Sequence, residues 1–275
     1  MAESGVMRVG VVGLGAMGGP AAGFLVRAGI PTTCHDPDPA AVHRAEAAGA
    51  TAAESVVDLA ATSDVIVVMV PTDRDVLDVC AAALSSARPG TVLLISSSVT
   101  PDTCLRVAER AGGRGVDVLD AALTGGVRAA EAGEINLLVG GDEAVLGRIR
   151  PVLAPWTSTV HYLGPVGCGQ IGKTVNNLCH WGQLAAIVEA LRLGRALGVE
   201  PGKLREAVLD GPAASRTLAE MELMRLTWYE KDLGNAMRMA SSMHRSLPVA
   251  VTVRAELEHI SVADIADLYQ ARRGG

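Results

Sequence analysis

The sequence predicts an α/β protein: an N-terminal doubly wound, mostly parallel sheet, then a long interdomain helix that begins an all-α C-terminal domain. Three observations indicate this. Short apolar, β-branched runs alternate with helical stretches between residues 9 and 153, as in parallel sheets with helices on both faces. No comparable strand signal follows Gly164. The segment from Cys168 to Leu197 lacks proline and is rich in Leu and Ala. We therefore expect domains over residues 1–164 and 165–275.

The first domain is predicted to contain seven strands, because each is a short apolar run bounded by turn residues. They are Val9–Val12, Thr32–His35, Thr51–Ala53, Val65–Val70, Val92–Ile95, Val116–Asp120 and Ile135–Val139. The helices predicted between them are about Pro20–Ala28, Ala40–Ala48, Asp75–Ala83, Pro101–Ala111 and Asp142–Leu153. Gly29 and Gly49 end the first two helices. Pro71 ends the fourth strand, and Pro101 suits the first turn of a helix.

The second domain is predicted to be helical throughout. A helix over Cys168–Leu197 would span ~45 Å, enough to link two lobes. Its middle, Leu184–Val188, is apolar nearly all round, so we expect it to be deeply buried. Further helices are predicted at Pro201–Asp210, Leu218–Met224, Leu233–His244, Val249–Ile260 and Ala263–Gln270, and Arg272–Gly275 is expected to fray.

Composition limits the classes of function. The chain has 275 residues, 49% of them hydrophobic, so two packed domains are expected. A net charge of −6 does not favour nucleic acid or an anionic membrane as a partner. The five cysteines form no C-x-x-C pair, which indicates reduced thiols in the cytoplasm. No apolar run approaches the roughly 20 residues of a membrane span, and no His/Cys spacing predicts a metal site.

A glycine-rich turn follows the first strand. Gly13-Leu14-Gly15-Ala16-Met17-Gly18 has the G-x-G-x-x-G spacing and lies between a predicted strand and a predicted helix. In such a turn the first glycine permits the bend, the second lets backbone approach a pyrophosphate, and the third allows close helix–strand packing. The helix that follows directs its N–H groups towards the pyrophosphate. This motif predicts a Rossmann-type dinucleotide-binding domain.

Asp36 predicts the choice of dinucleotide. It ends the second strand about 20 residues after the turn, where a carboxylate accepts hydrogen bonds from ribose hydroxyls. A carboxylate repels a 2′-phosphate, and the next residues, Pro37-Asp38-Pro39, bring no arginine. We therefore expect NAD rather than NADP.

Four segments, taken in order, resemble the β-hydroxyacid dehydrogenases, a family that includes 3-hydroxyisobutyrate dehydrogenase and tartronate semialdehyde reductase. They are Gly13–Gly18; DAALTGG at 120–126; GPVGCG at 164–169 with KTVNN at 173–177; and KDL at 231–233. The Gly/Lys/Asn/Asn block is the most specific. The resemblance covers nearly the whole chain and implies oxidation of a small 3-hydroxy acid. It also implies a C-terminal domain like that of 6-phosphogluconate dehydrogenase, and a homodimer or homotetramer.

The resemblance implies a role at each matching position. Lys173 matches the catalytic lysine, and Asn177 matches the active-site asparagine. The family's turn that binds the substrate carboxylate corresponds to Thr124, Gly125 and Gly126. Contacts to the cofactor are implied for Gly13, Leu14, Gly15, Ala16, Met17, Gly18, Asp36, Val70, Pro71, Ser98 and Lys231. Of these, Ser98 matches a threonine near the nicotinamide, and Lys231 matches a lysine that reaches cofactor or substrate.

Several positions depart from the family pattern. Thr124 replaces the usual Ser, which keeps the hydroxyl and adds a methyl group. Ala122-Leu123 replaces a common Pro-Val, and Ile95 replaces a frequent acid. The segment between Asn177 and Lys231 is shorter than usual. These departures affect the identity of the substrate more than the class of reaction.

The residues themselves support acid–base chemistry. Lys173 and Asn177 are spaced i and i+4 on the predicted long helix, so they share a face near its N-terminus. The positive end of the helix dipole favours a neutral amine there, which suits a proton donor and acceptor. Thr124-Gly125-Gly126 offers a hydroxyl and unobstructed N–H groups to a carboxylate. His180 could line the same crevice, although a packed histidine is the commoner arrangement, and Arg128 is expected to be solvated.

Two alternatives remain at this stage. The same fold carries imine reductases, which generally lack a lysine at the position of Lys173. The chain could also bind a cofactor without turnover, as a regulatory protein. The Lys173/Asn177 pair argues against both.

Overall fold

The computed structural model describes residues 6–269, in which eight strands and thirteen α-helices are found. The chain divides after Lys173 into two compact units, with the division inside one long helix. The fraying predicted for Arg272–Gly275 lies outside the described residues, as does Gln270 at the end of the last predicted helix.

The first unit is built on one eight-stranded sheet. Its strands are β1 (Val9–Val12), β2 (Thr32–His35), β3 (Thr51–Ala52), β4 (Val65–Val68), β5 (Val92–Ile95), β6 (Asp117–Thr124), β7 (Ile135–Gly140) and β8 (Thr157–Gly164). The order is β3-β2-β1-β4-β5-β6-β7-β8, and every pair is parallel except β6 with β7. Because β1 lies between β2 and β4, the strand order reverses there, and such sheets bind ligands at that reversal, at the carboxyl ends of the strands.

Helices cover both faces of the sheet. Those of the first unit are α1 (Gly18–Arg27), α2 (Pro39–Ala47), α3 (Val56–Thr62), α4 (Asp73–Leu84), α5 (Pro101–Gly112), α6 (Gly126–Ala132) and α7 (Glu143–Leu153). Alternate residues of a strand face opposite sides. Val67 of β4 accordingly packs in a core with Leu25 of α1, whereas Ile66 packs in a second core with Val76 of α4. This is the doubly wound arrangement that the sequence predicts.

The secondary structure of the second unit is helical, with no strand in its described residues. It comprises most of α8 (Cys168–Ala196), then α9 (Pro201–Leu209), α10 (Arg216–Ala219), a 3₁₀ turn (Met221–Leu223), α11 (Tyr229–Ser242), α12 (Pro248–Leu257) and α13 (Val262–Tyr269). One apolar core joins them. Leu184 and Val188 of α8 are fully buried in it, together with Leu233 of α11 and Leu257 of α12. The predicted fold class, α/β with an all-α C-terminal part, is confirmed.

Three elements were missing from the prediction: β8, α3 and α6, the last of which has only seven residues and follows the glycine turn directly. β8 is an edge strand whose residues are mostly exposed, so it carries no apolar alternation. Helix α3 has seven residues, too few to show a clear helical period of apolar residues. The Ser55 hydroxyl caps it by accepting the Asp58 N–H at 3.2 Å.

Other elements differ in extent. The predicted helix Leu218–Met224 was wrong as one element, because α10 ends at Ala219 and Glu220 departs from helical geometry with φ −125°. The predicted strand Val65–Val70 ends at Val68. The strand predicted to end at Asp120 continues to Thr124. Within the stretch expected to be wholly buried, Ala186 is exposed.

Candidate active site

The glycine-rich turn joins β1 to α1 at the strand-order reversal. A Cβ on Gly13 would collide with the carbonyl oxygen of Met69, and a Cβ on Gly18 with that of Gly13. A Cβ on Gly15 would meet no atom within 4 Å. The packing of the chain therefore requires glycine at the first and third positions of the motif. At the second position the space is open, as the approach of a pyrophosphate to the backbone requires. No side chain caps α1.

The Asp36 carboxylate lies against this turn. Its Oδ2 accepts a 2.6 Å hydrogen bond from the Leu14 N–H, and its Oδ1 accepts a 2.8 Å hydrogen bond from the Asp38 N–H. The Gly13 N–H donates to the carbonyl of His35 at 3.0 Å, so the ends of β1 and β2 are joined twice. The carboxylate is thus held beside the glycine motif, at the end of β2 where a ribose contact is expected.

The ends of β4 and β5 are joined by Ser97. Its Oγ accepts a 2.8 Å hydrogen bond from the Val70 N–H, and its own N–H donates to the Val68 carbonyl at 3.0 Å. Val70 and Ser98 are half-buried and Pro71 is exposed. The residues predicted to line the cofactor therefore come from neighbouring loops at the carboxyl ends of adjacent strands.

Thr124, Gly125 and Gly126 follow β6, the next strand of the sheet. Both glycines have positive φ, 108° and 70°, and both are exposed. Thr124 is half-buried, and its hydroxyl lies 3.5 Å from the Asn136 carbonyl. An L side chain rarely adopts this left-handed backbone, so glycine is needed for the turn to form.

Lys173 lies near the N-terminus of α8 and is half-buried. The start of that helix is fixed by Asp120 of β6, which is completely buried. Asp120 Oδ1 accepts from the Gly167 N–H at 2.6 Å, and Oδ2 accepts from the Gln170 N–H at 2.9 Å. Burial raises the pKa of Asp120, and the N–H groups of Gly167 and Gln170 oppose that rise.

Gln170 joins the start of α8 to the loop after β5. Its Nε2 donates to the Ser97 carbonyl at 2.9 Å, and its Oε1 accepts from the Val99 N–H at 3.3 Å. The first turn of the helix that carries Lys173 is therefore attached to both β5 and β6.

Three predicted residues belong to the second unit. Asn177 is buried on α8 and accepts a 3.1 Å hydrogen bond from the Asn176 side chain. Lys231 is exposed in the first turn of α11. His180 Nδ1 lies 3.0 Å from the Thr217 hydroxyl, and its ring centroid is 4.6 Å from that of Trp181, as expected for a packed histidine.

Three residues that organise this region had no predicted role: Ser97, Asp120 and Gln170. A signal for Asp120 was available, because a carboxylate inside an otherwise apolar strand must find partners when it is buried. The roles of Ser97 and Gln170 depend on contacts between elements far apart in the sequence, and no local pattern predicts them.

A cavity of about 440 Å³ lies at the opposite end of the strands. It is lined by Arg8, Asp64 and Arg148 among others, and none of the predicted site residues contributes to it. Arg8 is 3.0 Å from Asp64, and Arg148 is 2.6 Å from Asp117, so both guanidinium groups are neutralised by carboxylates. Between residues 6 and 269, no cluster of three His, Cys, Asp or Glu side chains could hold a metal ion, and no helix has the length and apolarity to cross a membrane.

Family profiles match both parts of the chain. A profile described as the NAD binding domain of 6-phosphogluconate dehydrogenase matches residues 8–164. One described as the NAD-binding domain of NADP-dependent 3-hydroxyisobutyrate dehydrogenase matches residues 167–268. Together they cover both compact units.

Curated relatives and a solved structure agree with these profiles. The chain is 33% identical to 2-(hydroxymethyl)glutarate dehydrogenase of Eubacterium barkeri, over 91% of this chain and 83% of the relative. It is 31% identical to 3-hydroxyisobutyrate dehydrogenase of Pseudomonas aeruginosa, over 96% and 99% of the two chains. The structure of 3-hydroxyisobutyrate dehydrogenase of Mycobacterium tuberculosis with L-serine superposes with a TM-score of 0.89 at 28% identity, covering 96% of this chain and all of that chain.

Proposed function

The chain belongs to the β-hydroxyacid dehydrogenase family, and we propose that it transfers a hydride between NAD and the alcohol carbon of a small 3-hydroxy acid. The reverse reaction reduces the corresponding semialdehyde acid. The observation that carries this proposal is the attachment of the Lys173 helix, through Asp120 and Gln170, to the strand ends that also bear the glycine motif. Lys173 and the glycine motif belong to one compact unit, which supports a shared role.

Two features support a dinucleotide cofactor, and the second of them favours NAD. The open space beside Gly15 leaves room for a pyrophosphate, and Asp36 is held beside the same turn. The descriptions of the matching profiles name both NAD and NADP, so the preference for NAD rests on the negative charge of Asp36. Val70, Pro71, Ser98 and Lys231 complete the proposed cofactor contacts.

The substrate class follows from the named substrates of the relatives. 2-(Hydroxymethyl)glutarate and 3-hydroxyisobutyrate share a 3-hydroxypropanoate unit and differ in the group on carbon 2. L-Serine, which accompanies the similar solved structure, has the same unit with an amino group there. We propose that Thr124, Gly125 and Gly126 bind the carboxylate that these compounds have in common. The exposed glycines give a carboxylate access to backbone N–H groups.

Lys173 is proposed as the general acid and base. In the oxidation direction its neutral amine accepts the hydroxyl proton of the substrate, and the alcohol becomes a carbonyl. NAD, which the glycine motif and Asp36 would hold, would supply the acceptor for the hydride of the alcohol carbon. In the reverse direction the Lys173 ammonium donates a proton to the carbonyl oxygen. Asn177, one helical turn after Lys173, is proposed to orient that oxygen or the amine.

The remaining proposals concern organisation. We propose that residues 1–164 form a dinucleotide-binding domain. Residues 165–275 would form a helical domain for substrate binding and oligomerisation. We also propose that the protein assembles into a homodimer or homotetramer. Imine reduction and a purely regulatory role are the competing functions, and neither explains a lysine at position 173.

A substrate screen separates these functions. The purified protein is mixed with NAD and a panel of 3-hydroxy acids that differ in the group on carbon 2, and NADH formation is followed by absorbance. A parallel panel of cyclic imines is mixed with NADPH and with NADH. NADH formation with one or more hydroxy acids supports the proposal. Turnover of imines alone, or of nothing in either panel, contradicts it.

A further inference from the structure

We propose that Gln170 is a positioning residue for the reaction, because its side-chain amide holds the segment Ser97–Val99 against the first turn of α8. Ser98, at the proposed nicotinamide end of the cofactor site, and Lys173, the proposed proton donor and acceptor, are thereby kept at a fixed separation. The inference rests on the proposed function, since positioning matters only if the substrate exchanges a hydride with a nicotinamide beside Ser98 and a proton with Lys173.

The contacts form a clamp around Ser98. Gln170 donates from Nε2 to the carbonyl of Ser97 and accepts at Oε1 from the N–H of Val99, so it binds the residue on each side. The Gln170 side chain is almost completely buried, with 1% of the residue exposed. Buried polar groups of this kind are costly to leave unpaired, so the amide favours this one geometry.

The same residue is anchored at its backbone. The Gln170 N–H donates to Asp120 Oδ2 at 2.9 Å, so the clamp is fixed to β6 as well as to the loop after β5. At its other end, Ser97 accepts the Val70 N–H at 2.8 Å. Lys173 follows Gln170 by three residues, and side chains at this spacing are neighbours on a helix. A continuous set of bonds therefore runs from Val70 through Ser97 and Gln170 to the turn that carries Lys173.

The chemistry of the clamp requires an amide. One atom must donate to a carbonyl and its neighbour must accept from an N–H, and only Asn or Gln provides both at every pH. A protonated glutamic acid provides the same pair, with its O–H donating to the Ser97 carbonyl. An ionised glutamate cannot donate, and it would place negative charge against that carbonyl oxygen.

This difference gives the test. Turnover of the best 3-hydroxy acid is measured for Gln170→Glu and for the unaltered protein at each pH, and the ratio of the two rates is plotted. The pH range extends from the lowest value at which the folded protein is stable to alkaline pH. We expect the ratio to be highest in acid and to fall as the introduced carboxyl ionises. Gln170→Met fills similar space without either hydrogen bond. Its turnover is therefore expected to be about 10- to 100-fold lower than that of the unaltered protein at every pH.

The titratable groups near this position include Asp120 of β6, Asp73 of α4, which accepts the N–H of Thr100, Cys104 of α5, which interacts with both carboxylates, and Lys173 itself. They are present in the unaltered protein and in both variants. Their titration therefore cancels in the ratio to the unaltered protein. A pH dependence of that ratio in Gln170→Glu but not in Gln170→Met is due to the introduced carboxyl. In Gln170→Met at every pH, and in Gln170→Glu once the introduced carboxyl is ionised, kcat is expected to fall more than KM rises, because the clamp acts on alignment rather than on substrate binding.

A second measurement needs no cofactor or substrate. Hydrogen exchange of the Val99 amide is followed in the cofactor-free protein, and it is expected to be faster in Gln170→Met than in the unaltered protein. If Val99 exchange and kcat are unchanged in Gln170→Met, the inference is wrong. It is equally wrong if the variant loses only thermal stability while the folded fraction turns over normally. If the unaltered protein oxidises no hydroxy acid, the proposed function fails and this inference fails with it, whatever the exchange rates are.

Discussion

The carboxylate of Asp36 accepts a 2.6 Å hydrogen bond from the backbone N–H of Leu14, inside the glycine-rich turn. The residue predicted to select the cofactor also holds the turn that would bind its pyrophosphate. One carboxylate oxygen serves the turn and the other accepts the Asp38 N–H. Substitutions of Asp36 that remove the acceptor would disturb the turn. Asn keeps one acceptor oxygen for the Leu14 N–H, so it removes the charge and gives up only the bond from the Asp38 N–H.

The first prediction follows from that distinction. In Asp36→Asn combined with Pro37→Arg, the negative charge is lost and a guanidinium is supplied for a 2′-phosphate. The ratio of kcat/KM for NADP to that for NAD should rise by at least about tenfold. Asp36→Ser with Pro37→Arg should give a weaker enzyme with both cofactors, because the shorter side chain loses the Leu14 contact. Equal kcat/KM with NAD and NADP in the unaltered protein would contradict the role given to Asp36.

The second prediction contrasts two glycines of the same motif. A methyl group at Gly15 meets nothing in the chain, so Gly15→Ala should keep its stability to within about 0.5 kcal/mol while NADH affinity, measured by fluorescence titration, falls sharply. A methyl group at Gly18 would collide with the Gly13 carbonyl, so Gly18→Ala should unfold at lower denaturant concentration. A Gly15→Ala protein that binds NADH as tightly as the unaltered chain would argue against a pyrophosphate at this turn.

The third prediction concerns pH and Asp120. Because burial raises its pKa in the folded protein, the protonated form is favoured on folding. This contribution to stability is fully present below the pKa of the unfolded chain and is lost as the pH rises through the folded value. The free energy of unfolding of the unaltered protein, minus that of Asp120→Asn, should therefore decrease with rising pH across the range just above 3.8, the ordinary value. An increase over that range would mean that the N–H groups of Gly167 and Gln170 outweigh burial.

The fourth prediction concerns assembly. Large apolar side chains are exposed near the end of α8, with Leu193 61% and Leu197 74% exposed. Burying such groups between subunits is favourable, so sedimentation should show a dimer or a dimer of dimers rather than a 28.3 kDa species. Leu197→Glu should weaken the assembly. Leu105→Glu, an equally charged change at an exposed position of α5, is the matched control and should leave it intact. A monomer at micromolar concentration would refute the prediction.

The sequence predicted most of the fold because its central strands are continuous apolar runs. β1, β4 and β5 are buried along their whole length, and such strands need no partner information to be recognised. β8 was missed because an exposed edge strand has no apolar period. The position of Asp36 directly after β2 was predicted, whereas Thr124 ends a strand that was predicted to stop at Asp120. The clamp made by Gln170 could not be predicted, because its partners, Ser97 and Val99, are more than 70 residues away.

Lys173 is proposed to accept and donate the hydroxyl proton of the substrate, and one variant tests this role directly. In Lys173→Ala the glycine motif and Asp36 are untouched, so NADH affinity should change little. Turnover of the best 3-hydroxy acid should fall by about 10²- to 10⁴-fold, the usual contribution of a general acid–base group. Lys173→Arg should not restore it, because a guanidinium does not release its proton near neutral pH.

The decisive measurement is kcat for Lys173→Ala at saturating NAD and hydroxy acid, alongside the pH profile of the unaltered protein. We expect kcat of Lys173→Ala to be about 10²- to 10⁴-fold below that of the unaltered protein. We also expect the rate of oxidation by the unaltered protein to rise with pH as the ammonium loses its proton. If Lys173→Ala binds NADH normally and retains most of its turnover, then Lys173 is not the acid–base group, and the proposed lysine-dependent oxidation of 3-hydroxy acids is wrong.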